Sequence, residues 1–354
     1  MSEPEPTIEE QPDDQRPTLL LVDGYGLIFR AYYAIKNEIS TSKGEVVNAV
    51  FGFASMLLDV LRRESPEHAI IAMEGGPTFR DEEFAEYKAN RGAMPDDLRP
   101  QVERVRQLID ALNIPIEERP GYEADDVIGT LATKAAAAGF EVAIVTGDKD
   151  FFQLVHDGIK VYNPRDDGTW FDAAGVKDKF GVTPEQVVDV LALMGDSIDN
   201  IKGVPGVGEK GARDLIASYG NLEAFLAPAG DVTNKRYREG LLQYADDARQ
   251  SRELARIRTD VPVEFSPEAL RYRGVSRERC FELFTRLGFR TLVMEFAPTA
   301  RTIGKDYAVI GAAAELEAVA RELREAGRFA VRVIPDASSA MRAGIAGIAL
   351  SSAP

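Results

Sequence analysis

The chain has 354 residues, 45% of them apolar, enough to bury one or two cores and to exclude disorder of the whole chain. One cysteine, Cys280, and two histidines, His68 and His156, exclude an intramolecular disulfide, a cysteine zinc site and a scheme that needs a histidine base beside histidine ligands; hydrolytic chemistry would have to rest on carboxylates. A formal charge of −16, from 58 acids against 42 bases, argues at face value against a polyanionic partner, yet acids gathered around divalent cations would lower that sum while creating a phosphate-binding centre.

Residues 1–17 read as a disordered acidic leader, too acidic and proline-rich for a secretory signal. No window offers 18 consecutive apolar residues, so a membrane span is not expected and the cytoplasm is the expected compartment. Thr18 to Val22 is a continuous apolar run ended by Asp23-Gly24, the pattern of a strand buried on both faces of a parallel sheet. Ala69 to Met73 repeats it and ends in Glu74; Val142 to Val145 repeats it again and ends in Thr146-Gly147-Asp148. Helical patterns lie between, over Asn48–Leu61, Leu98–Leu112 and Ala124–Ala138. The alternation predicts a twisted, mainly parallel α/β sheet with its ligand site outside the carboxyl ends of the strands, where the acids are.

A short strand is expected near Ile159–Tyr162, and Thr183-Pro184-Glu185-Gln186 has the form of a capping box opening a helix to Met194. From Gly195 to about Ala297 the chain reads as mostly helical. Strand-like segments at Tyr307–Ile310, Phe329–Ile334 and Gly344–Leu350, with a helix over Glu315–Ala326, make a β-α-β-β beginning that cannot close a core by itself, so the natural chain is expected to continue or to have been cut.

Four acidic clusters stand out: Asp23; Glu123, Asp125 and Asp126 at a helix start; Asp148 and Asp150; and Asp196 with Asp199. Glu74 is a fifth candidate. Brought together they would place up to nine carboxylates in one cleft, too many to share a dry site unpaired. Divalent cations are the simplest neutraliser, and oxygen-only ligands select Mg²⁺ or Mn²⁺. Two ions about 4 Å apart could activate water and stabilise the leaving oxygen of a phosphodiester. Taken singly, each acid reads more readily as a helix cap or a solvated turn; convergence reverses that weighting.

Gly203-Val204-Pro205-Gly206-Val207-Gly208-Glu209-Lys210 precedes a helical stretch over Ala212–Tyr219. It does not fit a Walker A loop, because Lys210 is followed by Gly211, and no apolar strand precedes it as in a Rossmann fingerprint. A helix-hairpin-helix turn on a nucleic-acid backbone remains, beside a plain tight turn. Thr78 to Arg91 interleaves Arg80, Tyr87, Lys88 and Arg91 with four acids, which suits either strand binding or an exposed mixed-charge helix.

In this order, LLLVDGYGLIFRAYYA, PTFRDEEFAEYKANR, GYEADDVIGTLA, VTGDKDFFQL, LALMGDSIDNIKGVPGVGEKGA and LARIRTDVPVE resemble the N-terminal 5′-to-3′ exonuclease domain of bacterial DNA polymerase I, a relative of the flap endonucleases, over roughly Pro17–Ala297. The resemblance implies a PIN-like fold over 18–182, a helical DNA-binding subdomain over 183–300, two Mg²⁺ or Mn²⁺ ions, and cleavage near single-strand to double-strand junctions. It implies that Asp23, Glu74, Glu123, Asp125, Asp126, Asp148, Asp150, Asp196 and Asp199 are metal-site carboxylates. Arg30, Arg80, Tyr87, Lys88 and Arg91 would form a gateway, often a helical arch, with Lys88 and Arg91 offsetting charge in catalysis. Gly203, Gly206, Gly208 and Lys210 would hold duplex backbone, commonly with K⁺. Where many relatives carry an aspartate at the end of the second strand, this chain reads Met73-Glu74; a loop shortened by one residue puts Glu74 there. Tyr33 stands where relatives often carry histidine.

Residues 301–354 resemble the start of a 3′-to-5′ exonuclease-like domain, but Val331-Arg332-Val333-Ile334-Pro335 lacks its acids, so that part is expected to be catalytically silent. The implied activity is a 5′ nuclease on flaps, nicks and RNA primers in a bacterial, nucleoid-associated, monomeric protein. Polymerase domains would lie on the same full-length chain, with no synthesis by these residues. The runner-up is a DNA-junction-binding module impaired in cleavage; a phosphatase of small substrates would leave the glycine turn and gateway without a role.

Overall fold

The computed structural model describes residues 16–164, 168–226, 232, 234–298, 308–335 and 345–351. Residues 1–15 of the expected leader, Tyr307 and the 341–344 segment lie outside the described residues. The chain divides into two units, Met1–Ala297 and Pro298–Pro354. No helix among the described residues is long and apolar enough to cross a membrane.

The first unit is built on six strands: β1 (Thr18–Asp23), β2 (His68–Ala72), β3 (Ile116–Glu117), β4 (Glu141–Val145), β5 (Ile159–Asn163) and β6 (Thr169–Phe171), in the order β3-β2-β1-β4-β5-β6. All neighbours are parallel except β5 and β6. Alternation decides which side each residue serves: Leu19 and Leu21 enter one core with Ile128 and Leu131 of helix Ala124–Ala137, while Leu20 and Val22 enter the other with Leu27, Phe53 and Leu57. This is why β1 reads as an unbroken apolar run. The chain moves outward from β1 through β2 to β3, then returns to add β4 on the opposite flank of β1, so the sheet has its switch point between β1 and β4.

Two expectations shift. Met73 leaves the strand and is buried in the second core, its N–H donating to the Glu117 carbonyl at 3.0 Å, which leaves Glu74 to emerge at the mouth of the sheet. Helix Arg277–Leu287, expected within the helical subdomain, instead lays Cys280, Leu283 and Phe284 into the same core as Phe53 and Leu108, because its apolar face matches that side of the sheet. The helices Pro184–Met194, Glu209–Tyr219 and Ala245–Ala255 do pack together, against the opposite core.

In the second unit, helix Ala313–Ala326 is followed by β7 (Ala330–Pro335) and β8 (Ile345–Ser351), paired antiparallel. Residues 308–310 form no strand, a correction to the first of the three strands expected there.

Candidate active site

The switch point places Asp23, at the end of β1, beside Thr146, one residue beyond β4. The Asp23 carboxylate accepts from the Gly26 N–H at 2.8 Å and from the Thr146 hydroxyl at 2.9 Å. The first bond caps helix Gly24–Ala34, and it needs glycine: a Cβ on residue 26 would lie 2.0 Å from Asp23 Oδ2. Asp148 follows in the same turn; its N–H donates to Thr146 Oγ1 at 3.1 Å and its own carboxylate accepts from the Asp150 N–H at 2.9 Å.

Helix Ala124–Ala137 brings up Glu123 and Asp125. Glu123 is gripped on both oxygens: Lys88 Nζ lies 2.6 Å from Oε1, while the Tyr87 hydroxyl and Arg80 Nη1 each lie 3.2 Å from Oε2. Asp126 points elsewhere. It is fully buried, with Arg80 Nη1 and Nη2 at 2.6 and 2.9 Å and the Arg258 N–H at 2.8 Å. Its carboxylate is thus consumed by the fold, which corrects its assignment as a metal ligand. Arg80 is corrected with it: 2% exposed, it also donates to the Arg256 carbonyl at 2.7 Å and so pins the residue 256–258 segment instead of facing a nucleic acid. Tyr87, expected in the gateway, is buried against Glu123 and offers no open stacking face.

The expected arch is short. Only Phe79–Glu83 is helical, and residues 85–90 run as turns. These turns are laced to the 196–200 loop: the Lys88 N–H donates to the Asp199 carbonyl at 2.9 Å, Asn90 Nδ2 to the Ser197 carbonyl at 2.6 Å, and Asn200 Nδ2 to the Glu86 carbonyl at 2.6 Å. Arg91 pairs with Asp199, and Lys149 lies 3.3 Å from Asp196. Arg30 donates to Asn163 at 3.1 Å, and its guanidinium borders Gly147. Thr146, Lys149, Asn90 and Asn200 join the site through contacts that no chemical motif in the sequence marks. Their only signal was position inside acidic motifs.

The carboxylates act on one another through space. Burial pushes the Asp23 carboxyl up to about 6, with Asp148 and Glu74 adding repulsion against the Gly26 and Thr146 bonds. Burial also raises Asp125 well above the usual carboxylate range, helped by Asp23, Asp148 and Glu123. Asp150 is raised likewise, by burial and then by Asp148; Asp148 is raised as surrounding protein strips its water, with Asp199 and Asp196 adding to this. Glu74 rises through burial, opposed by Lys88. Burial would depress Lys88, but Glu123 and Glu74 hold its ammonium above the ordinary value. Asp23, Glu74, Glu123, Asp125, Asp148, Asp150, Asp196 and Asp199 thus share one electrostatic neighbourhood. Among the described residues, no group of three or more acids, histidines or cysteines stands in an arrangement that could hold a metal ion as it is. The donor chemistry nevertheless suits a hard divalent cation: all oxygen and crowded, with Asp23, Glu74, Asp125, Asp148 and Asp150 raised in pKa, first by burial.

The glycine turn lies between helices Pro184–Met194 and Glu209–Tyr219. Gly203 has a packing duty, since a Cβ there would lie 2.4 Å from the Met194 carbonyl carbon, and Gly195 crosses it at φ +69°. Val204 and Val207 are buried and anchor the loop, Gly206 turns it at φ +92°, and Gly208 caps the second helix with open space beside its Cα. Lys210 is exposed in that helix's first turn.

The family described as 5′-3′ exonuclease, N-terminal resolvase-like domain, matches residues 18–181, and that described as 5′-3′ exonuclease, C-terminal SAM fold, matches residues 182–278. The chain is 44% identical over 283 residues to DNA polymerase I of Bacillus subtilis, covering 79% of this chain and 32% of that protein. It is 45% identical over 280 residues to DNA polymerase I of Chloroflexus aurantiacus, covering 77% and 30%. The chain therefore spans about a third of the length of these curated relatives. In fold it is similar to a phage T5 5′-exonuclease with bound zinc (TM-score 0.58, 20% identity, 79% of this chain and 96% of that one) and to the catalytic core of Rad2 in complex with DNA substrate (TM-score 0.54, 17% identity, 79% and 93%).

Proposed function

Since the chain belongs to the 5′-3′ exonuclease family, we propose that its acidic cleft hydrolyses phosphodiester bonds at 5′ ends and 5′ flaps of DNA, and of RNA primers paired to DNA, with two Mg²⁺ or Mn²⁺ ions. The observation that carries this reading is the cluster of Asp23, Glu123, Asp125 and Asp148 at the switch point beside the ammonium of Lys88, with burial raising the pKa of Asp23, Asp125 and Asp148 and neighbouring carboxylates adding to it. Asp23, Glu74, Glu123, Asp125, Asp148, Asp150, Asp196 and Asp199 would hold the ions, whose chemistry is to supply an activated water and to take up charge on the leaving oxygen. Tyr87 and Arg80 set the rotamer of Glu123. Lys88, on the gateway turns, and Arg91, just beyond them, would offset negative charge on a phosphate entering the cleft. Gly206, Gly208 and Lys210 would present the second helix start to duplex backbone, with K⁺ as a further ion at that turn.

In this reading residues 18–182 carry the chemistry, residues 183–300 grip the duplex, and residues 301–354 are silent. The protein works as a monomer in the bacterial cytoplasm near the nucleoid, on a chain that also bears polymerase domains. The test is a labelled 5′-flap duplex incubated with the chain and Mg²⁺ or Mn²⁺, with EDTA as control. Metal-dependent release of the 5′ strand is expected. Binding without cleavage would replace the nuclease with a junction-binding module.

A further inference from the structure

We propose that Thr146 is a positioning residue for the acidic centre, tying the end of β1 to the turn after β4 so that Asp23 and Asp148 are presented to a divalent cation in one arrangement. The inference rests on the metal-nuclease reading above. Thr146 is completely buried, and its hydroxyl uses both of its capacities on the cluster: the proton goes to Asp23 Oδ2 at 2.9 Å, and the oxygen accepts the Asp148 N–H at 3.1 Å. Its own N–H donates to the Tyr162 carbonyl at 3.1 Å, continuing the ladder beyond β4. The side chain therefore stands on a fixed backbone, one step past the Val22–Val145 pair of the two central strands.

Three consequences follow from that placement. Asp23 has two oxygens: Oδ1 is set by the Gly26 N–H, and the hydroxyl sets Oδ2, so the carboxylate plane is fixed at both ends. The bond to the Asp148 N–H holds the start of the turn that carries the Asp148 and Asp150 side chains. A β-branched residue is stiff at χ1, so threonine holds this geometry with less freedom than serine would. Groups that orient metal-binding carboxylates without touching the ion typically change metal affinity about 10- to 100-fold when removed.

The experiment compares wild type, Thr146→Val, Thr146→Ser and Thr146→Ala in the 354-residue chain. Mn²⁺ binding is read by calorimetry without nucleic acid, flap cleavage is resolved into kcat and KM, and the fold is checked by circular dichroism. Thr146→Val keeps the shape and removes the hydroxyl; we expect Mn²⁺ binding about tenfold weaker and kcat lowered, with KM for the flap duplex unchanged and Thr146→Ser close to wild type. Should the valine variant fail to fold, the smaller Thr146→Ala carries the same expectation. Mn²⁺ affinity and kcat at wild-type level in the folded valine or alanine variant would overturn the positioning role alone. So would a serine variant as impaired as valine, since packing would then be the cause. A wild-type chain that binds no Mn²⁺ would overturn the metal reading, and this role with it.

Discussion

Arg80 and Asp126 form a two-pronged ion pair sealed from solvent, with nitrogen-to-oxygen distances of 2.6 and 2.9 Å. Arg80 comes from the segment after β2, Asp126 from the first turn of helix Ala124–Ala137, and the Arg258 N–H and Arg256 carbonyl close the same knot. Phe79 sits against both the Arg80 and Arg258 guanidinium groups, at 4.6 and 4.4 Å from its ring centre. Three stretches distant in sequence are thereby fastened beneath the cleft. Asp126→Ala should leave a buried guanidinium uncompensated and cost about 3–5 kcal/mol, read as a lower denaturant midpoint. An unchanged midpoint with lost metal binding would return Asp126 to the ligand set.

Asp125, one residue earlier, should behave in the opposite way. Asp125→Asn removes a charge that burial and three neighbouring carboxylates already disfavour. Cleavage should fall by at least about a hundredfold while duplex affinity holds, and the metal-free melting temperature should stay level or rise. A nuclease assay, a binding titration and a thermal melt on one preparation decide this.

The raised Asp23 pKa carries a definite sign. Because the folded value, about 6, lies above the ordinary 3.8, the native state takes up a proton first as pH falls, so this group stabilises the fold fully below the unfolded pKa and loses that contribution as pH rises through about 6. Metal-free Asp23→Asn should therefore exceed wild type in unfolding free energy at pH 7, by an amount on the order of 3 kcal/mol that shrinks toward zero near pH 4. Saturating Mn²⁺ should reverse the order at pH 7. Equal pH profiles for the two proteins would show that the Asp23 carboxyl is not raised by burial in the folded state.

Lys210 offers a test of the glycine turn that leaves the chemistry alone. If it meets duplex phosphate, Lys210→Ala should weaken duplex binding and reduce the slope of log affinity against log salt by about one, with single-turnover cleavage unchanged. An unaltered salt slope would assign the turn to helix packing.

Cys280 gives an internal gauge of integrity. It is buried in the second core, with burial pushing its thiol up to about 11 and its sulfur 3.5 Å from the Ala111 carbonyl. A thiol reagent at pH 8 should react slowly with native protein and rapidly in denaturant; fast labelling of native protein would show that helix Arg277–Leu287 does not stay docked.

Chemistry and architecture were legible in the amino-acid order because each depends on local pattern. Short unbroken apolar runs that alternate with helical patterns and end in acids have the pattern of strands covered on both faces, and such strands deliver Asp23 and Asp148 to a common edge. The same patterns cannot say which way an individual carboxylate points. Asp125 and Asp126 are adjacent and chemically identical, yet one faces the cleft and the other is locked to Arg80, because successive helical residues lie about 100° apart and the partner that selects between them comes from 46 residues away. Met73 and Glu74 divide in the same manner, core against mouth. Residue type and spacing determined that this chain concentrates acids at the ends of its central strands and at a helix start; only the tertiary contacts decided which of those acids share the cleft and which is locked to an arginine.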